Sequence, residues 1–162
     1  MAPQQKPHRS VQDVCTPPEL LAAIADQFRV LSWRMDLAAT ASNSVASVQS
    51  QYFGPGSKLG EDSLAAEWPI NGDCWLNPPF ANLEPWVAKC QAQRNREGRI
   101  FVLLPAATGA NWYLRYVWNR AHVVQLTPRV TFVGHSQGYP KDLVIAVYSN
   151  IVGGVSAWRW KR

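Results

Sequence analysis

The chain has 162 residues, 47% of them hydrophobic, and its 16 Lys and Arg against 11 Asp and Glu give a formal charge of +5. That is enough to bury one sizeable core and too little for a second, no apolar run reaches the length of a membrane span, and the basic balance favours a polyanionic partner. Three cysteines, Cys15, Cys74 and Cys90, and three scattered histidines lack metal-ligand spacing, so neither a disulfide framework nor a metal site is expected.

Residues 1–13 are polar, carry Pro3 and Pro7 and lack periodicity, which predicts a flexible N-terminal tail before one domain over residues 14–162. No apolar signal region lies between Met1 and Ser10, so a soluble, cytoplasmic protein is expected. In Thr16-Pro17-Pro18-Glu19, Thr16 can cap a helix, Pro17 suits its first position and Glu19 stands where a capping box closes. The helix that follows puts Leu20, Leu21, Ile24 and Phe28 on one side. Residues 31–37 alternate, with Leu31, Trp33, Met35 and Leu37 expected on one face of a strand.

The last polar residue of that strand, Asp36, precedes Ala38-Ala39-Thr40, where the carboxyl end of a strand in an open α/β sheet usually meets a ligand. A helix cap or a solvated strand end accounts for Asp36 equally well. No glycine-rich turn follows, which excludes a standard dinucleotide fingerprint. Residues 40–60 are small and polar with Tyr52-Phe53 as their apolar anchor, and Asp62 either caps a turn or accepts from a ligand amine.

The stretch Asp73-Cys74-Trp75-Leu76-Asn77-Pro78-Pro79-Phe80 is an apolar strand running into a stiff Asn-Pro-Pro-aromatic turn. The prolines fix φ and remove two donors, leaving outward carbonyls and the Asn77 amide as acceptors beside the Phe80 ring. Such a set suits a planar base with an exocyclic amine. Two acceptors on the amine hydrogens, Asn77 Oδ1 and the Pro78 carbonyl, draw the nitrogen towards tetrahedral geometry and free its lone pair, while Phe80 stacks on the extruded ring. A purely structural Pro-Pro turn is the plain alternative.

Beyond it, Leu83, Trp86, Val87 and Cys90 mark a helix with Pro85 in its first turn, and residues 100–104 form a central buried strand. A helix over residues 111–119 is expected to turn Leu114, Val117 and Trp118 inward, followed by strands over 122–126 and 143–148. The loop 127–140 between those strands holds polar, aromatic and cationic groups suited to DNA, and Arg129, His135 and Lys141 are the candidate contacts; an exposed hairpin connection explains it nearly as well. The basic, aromatic stretch 158–162 fits phosphate contact or a packed edge strand. Alternation of strand and helix argues an α/β fold with a mostly parallel open sheet and helices on both faces, with Asp36 and Asn77 on one rim.

Thr16-Pro17-Pro18-Glu19-Leu20, Met35-Asp36-Leu37-Ala38-Ala39, residues 61–68 and Trp75-Leu76-Asn77-Pro78-Pro79-Phe80, in this order, resemble the phage-type DNA N-6-adenine methyltransferases, a Dam-like family, over roughly residues 12 to 148. The resemblance implies a single Rossmann-like methyltransferase domain that uses S-adenosylmethionine, acts on DNA and, if phage-encoded, works in the host cytoplasm. It places Thr16 and Pro17 near the methionine part of the cofactor, Asp36 and Ala38 at its amino acid or ribose, Asp62 at its adenine and Asn77, Pro78, Pro79 and Phe80 at the target base. Ser63 stands where the family tends to have glycine. An amino methyltransferase for cytosine N4 or protein glutamine, and an inactive DNA-binding module of the same fold, are the rival readings.

Overall fold

A computed structural model of the protein describes residues 15–162; the tail expected over residues 1–13 lies outside them. In chain order the elements are α1 (Pro18–Phe28), β1 (Trp33–Asp36), β2 (Asp73–Leu76), α2 (Glu84–Ala92), β3 (Ile100–Pro105), α3 (Asn111–Tyr116), β4 (His122–Thr127), β5 (Leu143–Tyr148) and β6 (Val155–Arg159). The strands form one six-stranded sheet in the order β1-β2-β3-β5-β4-β6. The β1–β2, β2–β3 and β4–β6 pairings are parallel and β5 is antiparallel to both its neighbours, so β5 alone runs against the rest.

Alternating side chains divide between two cores. On one face Ile100, Val102, Leu104, Val144, Ala146 and Tyr148 meet Val87 and Cys90 of α2 and Tyr113 of α3. On the other Phe101, Leu103, Ile145 and Val147 meet Leu20 and Ile24 of α1. Helices therefore cover both faces, which is why β3 and β5 read as continuous apolar runs rather than alternating ones. Each fully buried Leu, Ile or Phe of these strands contributes roughly 1.5–3 kcal/mol of transfer free energy. At the end of the sheet remote from the β1 and β2 carboxyl termini, Arg99 Nε and Nη2 donate to the two Asp73 oxygens at 2.9 and 2.6 Å, and Nη1 donates to the Phe28 carbonyl, joining α1 to β2 and β3.

Three local expectations differ from the structure. The first strand is shorter than 31–37, and its residues do not share one face: Leu31 is exposed, Trp33 packs with α1, and Met35 and Leu37 pack with α2 and α3. A bulge is the cause, because Trp33 pairs with Asp73 but Met35 with Cys74, so two residues of β1 advance against one of β2 and the parity reverses. Thr16 does not cap α1, whose N-cap is Pro17 without any side-chain bond. In α3 the inward residues are Tyr113 and Val117, while Leu114 and Trp118 are exposed. The helix ends at Tyr116 and the chain turns at Asn119, with φ of 56°, so no second helical turn carries Trp118 to the core.

Of the stretch 158–162, Trp158 and Arg159 lie in the edge strand β6. β6 pairs with β4, and Trp158 lies edge-on to Phe28 at 6.3 Å. No helix among the described residues is long and apolar enough to cross a membrane.

Candidate active site

Because β1 and β2 are parallel neighbours, the loops that leave them emerge side by side, and the loop that enters the opposed β5 joins them at the same rim. A cavity of about 770 Å³ opens there. One side is built by Ala38, Ala39 and Thr40 after β1 together with Phe53, Gly54, Pro55, Glu61 and Ser63. The other is built by Asn77, Pro78, Pro79, Phe80 and Ala81 after β2, Trp86 of α2 and the loop from Phe132 to Pro140.

The β1 side owes its shape to a short segment paired beside the strand. Tyr52 bridges Asp36 in parallel fashion, Phe53 N–H donates to the Asp36 carbonyl, and Ala39 N–H donates to the Phe53 carbonyl. Gly54 comes so close to Ala39 that a Cβ there would lie 1.9 Å from the Ala39 carbonyl oxygen, and its φ of 143° suits glycine alone. The Asp36 carboxylate stands behind this wall, 3% exposed, accepting from Ala38 N–H through Oδ1 and from Val45 N–H through Oδ2. Burial pushes its carboxyl up to about 7, against the lowering effect of those two bonds.

On the β2 side Asn77 follows the last strand residue directly. Its Nδ2 donates to Thr16 Oγ1 at 3.3 Å, and Thr16 is itself buried. The hydroxyl that does not cap α1 thus holds the amide, and since a carboxamide is planar, fixing the nitrogen end fixes the direction of Oδ1. Pro78 is buried and Phe80 half-buried, touching both cores. Tyr139 stands edge-on to Phe80 at 5.7 Å and to Phe132 at 5.6 Å, tying the 132–140 loop to the turn. A further bond from Tyr139 N–H to the Val130 carbonyl, 2.7 Å, closes the base of that loop.

The residues singled out from the sequence fall into four groups. Asn77, Pro78, Pro79, Phe80, Ala38 and His135 line the cavity. Thr16, Pro17 and Asp36 are buried and do not line it; Thr16 and Asp36 act on residues that do. Asp62 is exposed and caps its own turn through Leu64 and Ala65 N–H, and the cavity is lined instead by its neighbours Glu61 and Ser63. Arg129 and Lys141 line an adjoining cavity. Glu61, Phe53, Trp86 and Tyr139 were not identified as site residues from sequence. The Tyr52-Phe53 pair, alone in its apolarity among polar neighbours, was the signal for one of them.

The β1 side suits a nucleoside-type cofactor. Ala38, Ala39 and Gly54 add little side-chain bulk to the lining, Phe53 offers a ring and the exposed Glu61 carboxylate an acceptor for hydroxyls. Among the described residues no group of three or more His, Cys, Asp or Glu could hold a metal ion.

The chain is similar in sequence to known proteins. The family described as DNA N-6-adenine-methyltransferase (Dam) matches residues 4–147. The chain is 29% identical over 84 residues, 51% of its length, to a DNA N-6-adenine-methyltransferase of Haemophilus phage HP1 (strain HP1c1), of which the match covers 48%. It is 25% identical over 116 residues, 72% of its length, to one of Escherichia phage T1, of which 45% is covered. The chain thus spans about half the length of these curated relatives. No solved structure matches it significantly. With the family match running through both strands that build the cavity and the turn that follows β2, the chain belongs to the DNA N-6-adenine-methyltransferase (Dam) family.

Proposed function

We propose that the protein is a Rossmann-like, S-adenosylmethionine-dependent DNA methyltransferase that modifies the exocyclic N6 of adenine. The observation that carries the reading is the Asn77-Pro78-Pro79-Phe80 turn lining a cavity shared with the carboxyl end of the neighbouring parallel strand. Ala38, Ala39, Phe53, Gly54 and Glu61, which line the β1 side of the cavity, would hold the cofactor, the Glu61 carboxylate as an acceptor for hydroxyls and Phe53 as an apolar ring wall. Bound there, S-adenosylmethionine supplies an electrophilic methyl group on a sulfonium centre.

The chain's own task is to present the amine and exclude water. Asn77 Oδ1 and the Pro78 carbonyl accept the two amine hydrogens, which restores lone-pair density to a nitrogen otherwise conjugated with its ring. Phe80 stacks on the base, which must leave the duplex to reach the cavity. Thr16 keeps the Asn77 amide the right way round. Asp36 acts from behind, holding the loop that carries Ala38. His135, on the exposed loop, faces the DNA.

Incubating the protein with DNA and S-adenosylmethionine, then digesting to nucleosides for mass spectrometry, should reveal N6-methyladenine. Asn77→Ala should lower the rate by at least about 100-fold, as loss of one preorganised acceptor does, while calorimetry shows cofactor affinity within about twofold. N4-methylcytosine in its place would move the enzyme to the other amino chemistry. Full activity in the variant would sink the mechanism.

A further inference from the structure

Behind the Phe80 turn lies a second cavity of about 630 Å³ that shares Phe80, Ala81 and Pro140 with the first. Its far side is formed by Pro105 at the end of β3, Ala106 and Ala107 after it, Trp112 of α3 and Glu84 of α2, and its near side by Arg129, Lys141 and Asp142. The charges at this site are uneven once the pairs are taken out. Arg129 Nε is 3.0 Å from Asp142 Oδ1, and Arg115 Nη1 is 3.1 Å from Glu84 Oε1. Both carboxylates lining the cavity are therefore neutralised. Lys141 is exposed and, among the described residues, has no carboxylate within ion-pair reach.

Trp112 is the one large ring of the far wall. It is half-buried, packed against the helical core and edge-on to Tyr113 at 5.6 Å, so it is held without being covered. A rigid aromatic face with one spare cation, beside two neutralised ion pairs, matches a ligand with one planar uncharged ring and one phosphate. We propose that this second cavity takes the nucleotide adjoining the target in the same DNA strand, its base against Trp112 and its phosphate towards Lys141.

Continuity of the strand is the reason for preferring a neighbouring nucleotide to a free one. The two cavities share the Phe80-Ala81 turn and Pro140 as a common wall, so a strand that delivers one base to the first can lay the next across that divide. Stacking on an aromatic face is tolerant of base identity, while the phosphate contact adds salt-dependent affinity. The assignment rests on the reading of the first cavity as the target-base site.

The test is fluorescence anisotropy of a labelled DNA duplex titrated with the whole protein across a range of salt. Trp112→Ala should raise Kd about tenfold or more, with Trp112→Phe recovering most of the loss because a ring remains. Lys141→Ala should reduce the slope of log Kd against log salt by about one. Circular dichroism melts of each variant separate misfolding from lost contact, and Lys141→Ala, at an exposed position, stands as the second arm should Trp112→Ala not fold. Wild-type Kd in a folded Trp112→Ala together with a wild-type slope in Lys141→Ala, or no binding by the wild type, would overturn the assignment; should Trp112→Ala not fold, a wild-type slope in Lys141→Ala overturns it alone. Binding is read without turnover: DNA held through Trp112 and Lys141 with no methylated base formed leaves a nucleotide contact here standing and removes the enzymatic reading. Methylation with affinity and slope untouched by any variant does the reverse.

Discussion

Asn77 gains its meaning from a residue that the sequence suggested for another task. Thr16 reads as a helix cap, yet α1 begins at Pro18 without a side-chain cap and the buried hydroxyl accepts from Asn77 Nδ2. No local rule could have shown this, because the bond spans 61 positions. Thr16→Val keeps the volume and removes the acceptor, so we expect kcat to fall about fivefold, in keeping with about 1 kcal/mol for one hydrogen bond, with KM for DNA little changed. Thr16→Ser should restore it. A variant that loses cofactor affinity and keeps its turnover would show that Thr16 serves the cofactor instead. Asp36 was legible as a strand-end carboxylate, but its burial was not. In the folded chain its carboxyl stays protonated up to about 7, against 3.8 ordinarily. Between those values the native state holds the extra proton, so the contribution of this group to stability falls as pH rises and is level above about 7. The melting temperature of the wild type less that of Asp36→Asn should therefore decline from about pH 4 to about pH 7; a flat difference would contradict the shift.

At the scale of elements, β2, β3, β5 and the Asn-Pro-Pro-Phe turn could be read from the sequence because they are continuous apolar runs or carry their own turn chemistry. What eluded such reading is where strands depart from regularity. The bulge in β1 reverses the parity of Trp33 and Met35, and alternation counted along the chain has no means of registering an extra residue that only pairing with β2 defines. The segment 51–54 beside β1 was equally hidden, since its order comes from bonds to Asp36 and Ala39 rather than from its own composition. Gly54 concentrates that dependence. A methyl group there meets the Ala39 carbonyl, backbone against backbone, so Gly54→Ala should lower stability by about 2 kcal/mol or more, a fall of about 4–8 °C in a chain of this size. The same shift moves the wall holding Ala38 and Ala39, and calorimetry should find cofactor affinity reduced with it. An unchanged melting temperature would mean that the two loops separate freely.

The whole molecule gathers its site from distant parts of the chain: loops after β1 and β2 and the loop entering β5 meet at one rim because β5 alone runs the other way. Position along the sequence gave the rim, since Asp36 and Asn77 both end strands. It could not give the third wall, whose place depends on the direction of β5. That opposed strand has a further consequence for how the cavity yields to a substrate. All six β5 residues are buried and paired with β3, and Val144 to Val147 are paired with β4 as well, whereas residues 133–138 just ahead of it are exposed. Amide hydrogens of residues 143–148 should exchange with solvent slower than those of 133–138 by at least about three orders of magnitude. Added DNA should slow the second set and leave the first as it was. The rim wall is thus a short lever pivoted on the most deeply anchored part of the sheet, and its tip can give way to a bulky duplex without disturbing the fulcrum.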